Sequence, residues 1–145
     1  MVILNLTRET IPARNAHYAI GFSERLTGLI GKYFSPEMDA MVFSRCSAIH
    51  TFFMKYPIDV IFTDEKYEVI QTVSSFPAWR PWLFCKNAFY TIELPAGSIE
   101  SSGTRAGDQL DLAGALSPET MRQWLGKKLP QVGQRETCPC NPEGK

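Results

Sequence analysis

No charge of either sign prevails in this chain. Lys plus Arg and Asp plus Glu stand at 15 each, so the formal net charge is zero. That balance argues against a long electrostatic footprint for nucleic acid or for an anionic membrane. It also removes charge repulsion between copies, which permits self-association and leaves the oligomeric state open. Nowhere do apolar residues run to the roughly 20 that a membrane helix needs, so membrane insertion is not expected. Residues 1–9 lack the form of a signal peptide: the apolar part is short, no basic region precedes it, and Arg8 and Glu9 follow at once. As written, and a trimmed leader aside, the chain reads as cytoplasmic. Histidine is scarce, with only His17 and His50. The four cysteines, Cys46, Cys85, Cys138 and Cys140, follow no secretory signal and read as reduced thiols. There is no internal repeat and no low-complexity tract.

What is present fits one domain. A chain of 145 residues has room for a single real core. Its 44% hydrophobic and 21% charged content is that of a globular protein. Ten prolines and ten glycines imply many turns, which suits a β-rich fold better than a helix bundle. Strands are expected near residues 2–6, 17–20, 40–43, 49–54, 58–63, 68–73, 89–94 and 109–112. In 49–54, His50, Phe52 and Met54 alternate with Ile49, Thr51 and Phe53, and both sets are largely apolar. Such a pattern predicts a strand buried on both faces. Asp64-Glu65-Lys66-Tyr67 reads as a hairpin turn, and 74–86 as a long irregular loop. Short helices are expected over 23–31 and 95–102, the second stopping at Gly103. Ser117-Pro118-Glu119 opens a further helix: a capping hydroxyl, a proline in the first turn, then an acid at the positive dipole end. The expected division is a β domain over 1–116, that helix over 117–126 and a disordered tail over 127–145.

Several short segments together resemble the DUF192 family, also called UPF0127. They are Glu24-Arg25-Leu26-Thr27-Gly28-Leu29-Ile30-Gly31, Ile49-His50-Thr51-Phe52-Phe53-Met54, Pro57-Ile58-Asp59-Val60-Ile61-Phe62, Trp79-Arg80, Glu93-Leu94-Pro95-Ala96-Gly97, then Gly103 and Gly107-Asp108-Gln109-Leu110. They span about residues 15–112. The resemblance implies a compact β sandwich or barrel with short helices, in a family with no established activity. Two positions depart from its pattern. Ile30 stands where the family usually has methionine, a mild apolar swap. Tyr67 stands where the hairpin usually carries glycine; if the site needs a positive φ, tyrosine costs roughly 1 kcal/mol there.

Buried polar groups need partners, so His50 and Asp59 inside apolar runs require an explanation. They are read as a pair across adjacent strands: a base with its orienting carboxylate, or polar hooks in a cleft. The competing reading is a structural hydrogen bond closing a buried gap. Cys46, His50 and Met54 recur every four residues, but along a strand that spacing spreads them over roughly 13 Å, too far for one ion. Pro77-Ala78-Trp79-Arg80-Pro81-Trp82 combines two flat apolar walls with a guanidinium that forks onto carboxylate or phosphate. Its alternative role is a plug, with Arg80 paired to Asp59 or Glu93. Glu93, by alternation with Ile92 and Leu94, is expected to face solvent. Cys138-Pro139-Cys140 has too few ligands for a structural zinc site.

The expected fold is therefore mainly β, a compact sandwich or small barrel with short helices and a C-terminal helical extension. The expected function is a small binding or accessory domain, without catalysis, for a small anionic or sugar-like ligand. Its site is a cleft in which His50, Asp59 and Arg80 give polar contacts and Phe52, Met54, Trp79 and Trp82 the walls. No cofactor and no metal is called for, and the partner is a small molecule or a protein. Two alternatives stand beside it. One is a hydrolase or lyase with His50 as base oriented by Asp59. The other is a protein-interaction module using the 79–82 loop, which predicts a broad exposed apolar patch in place of a concave pocket.

Overall fold

Strand β6 (Ile58–Thr63) is buried at all six positions. A strand covered on both faces needs a layer on each side, and the molecule is built to supply them. The computed structural model describes residues 1–21 and 29–112. Its other elements are β1 (Ile3–Asn5), β2 (Thr10–Ala13), β3 (Ala16–Tyr18), β4 (Ala40–Ser44), β5 (Ala48–Ile49), β7 (Val69–Phe76), β8 (Leu83–Phe84), β9 (Tyr90–Pro95), α1 (Ser98–Ser102) and β10 (Leu110–Asp111). A five-stranded sheet has the order β3-β4-β9-β6-β7, a three-stranded sheet the order β10-β1-β2, and β5 pairs with β8 alone. All pairs are antiparallel except β3 with β4. The sheets stay separate, so the sandwich expectation holds and no barrel closes.

Period-two alternation sorts the central sheet's side chains into two cores. On one face Val42, Ile61, Ile92 and Leu94 join Ile3, Ala13 and Leu110 of the three-stranded sheet, with Ile99 of α1. On the other, Met41, Phe43, Ile58, Val60 and Phe62 meet Leu29, Met54 and Cys85, which arrive on connecting segments. One cover is thus a sheet and the other is mostly loop.

The β6–β7 hairpin forms where expected. Asp64 Oδ1 accepts the backbone N–H groups of Lys66 and Glu68 at 2.8 and 2.9 Å, an Asx-type turn. Tyr67 takes φ 65 there, the left-handed backbone that glycine adopts freely. Its ring packs on Tyr90 with centroids 4.8 Å apart, which offsets the backbone cost. Helix α1 ends on Gly103 at φ 65, as the sequence suggests.

Three expectations need correction. The strand expected over 49–54 is only Ala48–Ile49; Phe53 adopts φ 62, and Met54 N–H turns back to Thr51 O at 3.3 Å. The loop expected over 74–86 contains the end of β7, to Phe76, and all of β8. Strand β2 was not expected, because it carries Pro12 and is half-buried on the edge of a small sheet, where pattern is weakest. The helix over 117–126, the tail over 127–145 and most of the helix over 23–31 lie outside the described residues.

Candidate aromatic platform and apolar groove

Two segments far apart in sequence are stitched together by Thr51. Its N–H donates to Arg80 O (3.1 Å), its carbonyl accepts from Trp79 N–H (2.8 Å), its hydroxyl donates to Pro77 O (2.7 Å) and accepts from Arg80 N–H (3.0 Å). Every polar atom of a fully buried residue is thereby used. The β5–β8 ladder, Ala48 opposite Phe84 and Ile49 opposite Leu83, continues the seam. Met54 and Cys85 anchor the two segments in the loop-covered core, where burial raises the Cys85 thiol pKa.

With those side chains inward, the others point out. Phe52, Phe53, Trp79, Trp82 and Phe84 are 38%, 62%, 59%, 74% and 59% exposed. His50 packs on Phe52 (5.7 Å between centroids), Phe52 on Phe53 (6.4 Å), and Phe53 edge-on to Trp79 (5.2 Å). Phe53 and Trp79 both hold positive φ, at 62° and 61°, each costing on the order of 1–2 kcal/mol. Large exposed rings of this kind mark a contact surface when they cluster, as His50, Phe52, Phe53 and Trp79 do here. Residues 45–56 and 77–90, which carry it, include Arg45, Lys55, Arg80 and Lys86 and no Asp or Glu. In a chain of zero net charge these two segments are therefore basic in sequence.

The seven expected site residues separate. His50, Phe52, Trp79, Arg80 and Trp82 are exposed on the pinned segments. Met54 is buried beneath them. Asp59 is elsewhere: it is fully buried, Oδ1 accepts Ser75 N–H and Oδ2 accepts Ile99 N–H, both at 2.8 Å. It alternates with Ile58 and Val60, so it faces the sheet-covered core, while Met54 lies against the opposite face. The expected His50–Asp59 pair does not form, and the base-and-orienter geometry of a hydrolase goes with it. Among the described residues no three His, Cys, Asp or Glu side chains gather as metal ligands.

Two features escaped the sequence reading. One is Thr51, whose role depends on partners 26 to 29 residues away. The other is Glu93. It does not face solvent but is 4% exposed, opposite Met41 and Val60 on the loop-covered face. Its Oε2 is buried without a hydrogen-bond partner, and desolvation pushes its pKa up to about 8. Two residues further along β9, on the same face, Pro95 lines a groove of about 340 Å³ with Tyr33, Phe34, Tyr56, Pro57 and Ala96. Tyr56 Oη donates to Lys32 O at 2.6 Å; burial, then more weakly the charge of Glu93, raises its pKa.

This is a mainly β fold of two packed sheets with a loop-built outer layer. The chain belongs to the DUF192 family, described as an uncharacterized ACR, which matches residues 3–112. A UPF0127 protein of Thermococcus sibiricus is 33% identical over 117 residues, covering 76% of this chain and 73% of the relative. One from Pyrococcus furiosus is 30% identical over 115 residues, covering 75% and 96%. A crystal structure of a protein of unknown function from Novosphingobium aromaticivorans superposes with a TM-score of 0.64 at 16% identity, covering 76% of this chain and 81% of that one. It shows a shared fold. No activity comes with the family.

Proposed function

We propose that this chain is a non-catalytic docking module that binds an acidic, apolar segment of a partner protein on its aromatic platform. One observation carries the reading: five large aromatic side chains project from two segments cross-pinned by Thr51, with cations and no acid among them. Aromatic and Arg side chains are the usual anchors of protein interfaces. The pinning lowers the ordering cost of binding, because the loops are held before the partner arrives. Local positive charge on an otherwise neutral chain selects a partner bearing Asp or Glu.

Selection from a displayed library of random peptides tests this. Enriched sequences are expected to combine Asp or Glu with apolar residues, and their affinity to fall as salt rises. Trp82→Ala, at a 74% exposed position, is expected to cost about tenfold or more in affinity while the fold stays intact. Enriched peptides that bind Trp82→Ala and Arg80→Glu as well as the parent would overturn the proposal. So would binding to phosphatidylserine vesicles with no acidic peptide enriched.

A further inference from the structure

The groove beside β9 is separate in composition from the platform. It shares no residue with the five platform aromatics, Phe52, Phe53, Trp79, Trp82 and Phe84. Of its six described lining residues three are aromatic, two are proline, and none is charged. Tyr33 and Tyr56 lie 5.5 Å apart between centroids at 33°, and Phe34 and Tyr56 6.3 Å apart at 52°, so the rings meet at angles. Aromatic faces carry partial negative charge and attract cations. Lys55 Nζ already stands 5.7 Å from the Tyr33 centroid, so one of these rings receives an ammonium in the folded chain. Glu93, two residues before the lining Pro95 and on the same face of β9, carries a buried Oε2 without a hydrogen-bond partner, and its charge is felt at the lining Tyr56.

We propose that this groove binds a small organic ammonium ion with an apolar body, held by the Tyr33, Phe34 and Tyr56 rings and neutralised by Glu93. A buried acid without a partner is missing a positive charge, and none of the six described lining residues is Lys or Arg; Lys55 reaches the Tyr33 ring and makes no hydrogen bond to Glu93 Oε2. Of the strands packed against β9, β4 presents Met41 opposite Glu93 and β6 presents Val60. Tyr56 is the titratable group that senses Glu93 from the neighbouring segment. Among the described residues no cation is paired with that carboxyl, so an ammonium in the groove would have none to displace from it. Pairing favours the ionised acid, so Glu93 gives its proton to solvent on binding. The ligand stays protonated throughout, because an alkylammonium holds its charge to about pH 10.

The probe is butylammonium, with butanol as its neutral counterpart. Calorimetry in two buffers of different ionisation enthalpy counts the protons released. Amide NMR shifts at Ala96 and Gly97 locate the site. Butylammonium is expected to bind saturably there and release close to one proton at pH 6. Its affinity should rise up to about tenfold per pH unit towards pH 8 and level off above it. Glu93→Gln should remove the proton release and the pH dependence, and Tyr33→Ala should weaken binding about fivefold. Tyr33 is 57% exposed, so Tyr33→Ala and the wild-type proton count decide the matter even if Glu93→Gln fails to fold. Equal binding of butanol, no shift at Ala96 and Gly97, or binding without proton release would overturn the proposal. The platform reading survives that failure, since its peptide and Trp82→Ala tests touch none of these residues.

Discussion

Asp59 and Glu93 sit on neighbouring strands of one sheet, with Asp59 opposite Leu94 and Val60 opposite Glu93. Both are acidic and both are buried, yet their circumstances are opposed. Asp59 points at the sheet-covered core and finds two backbone N–H groups waiting, one from β7 and one from α1. Glu93 points at the loop-covered core and its Oε2 finds none. The first is a structural acid: it ties β6 to β7 and α1 and has nothing left to offer a ligand. The second bears a desolvation cost that nothing among the described residues repays. Burial alone does not make an acid functional; what separates the two is whether the fold has already satisfied it.

The sharpest way to break this contrast is pH. The folded pKa of Glu93 lies at about 8 against an ordinary 4.5, so the native state holds a proton that the unfolded state has released. Its contribution to stability is full below pH 4.5 and is lost as pH rises to about 8. The loss is on the order of 3–5 kcal/mol, read as the slope of urea-unfolding stability over that window. Glu93→Gln should flatten the slope; an unchanged slope would place the contrast elsewhere. Next in size is Asp59→Ala, expected to cost about 3 kcal/mol at pH 7 by leaving the buried Ile99 N–H and the part-buried Ser75 N–H unanswered. A loss below about 1 kcal/mol would make Asp59 no more structural than Glu93. Tyr67→Gly relieves the positive φ but removes the Tyr67–Tyr90 contact. A net loss of about 1 kcal/mol is expected, since aromatic packing outweighs the backbone relief. Smallest is Trp82→Ala, expected within about 0.5 kcal/mol of wild type by thermal melting, because the ring lies outside both cores.

What was legible in the sequence was whatever local chemistry decides. The strand Ile58–Thr63 and the turn at Asp64 were expected with the right bounds, because an unbroken apolar run and an Asx side chain act over a few residues. The stop at Gly103 was legible for the same reason. Residues 49–54 misled, because inward and outward aromatic side chains look alike in sequence, and the turn at Thr51 is imposed from the 77–80 segment. Glu93 misled because alternation assumes one wet face, and the second cover of this sheet consists of loops with no periodic signature. Of the expected site, the exposed aromatic and basic residues were visible as a composition, while the link between His50 and Asp59 rested on a shared face that the pleat denies.

The four bonds that Thr51 makes to residues 77–80 have a dynamic corollary. Since one residue holds both segments, neither can detach alone, and the amides of Thr51, Trp79 and Arg80 should exchange with deuterium as a single unit. Clamping either loop from outside would then quiet the other.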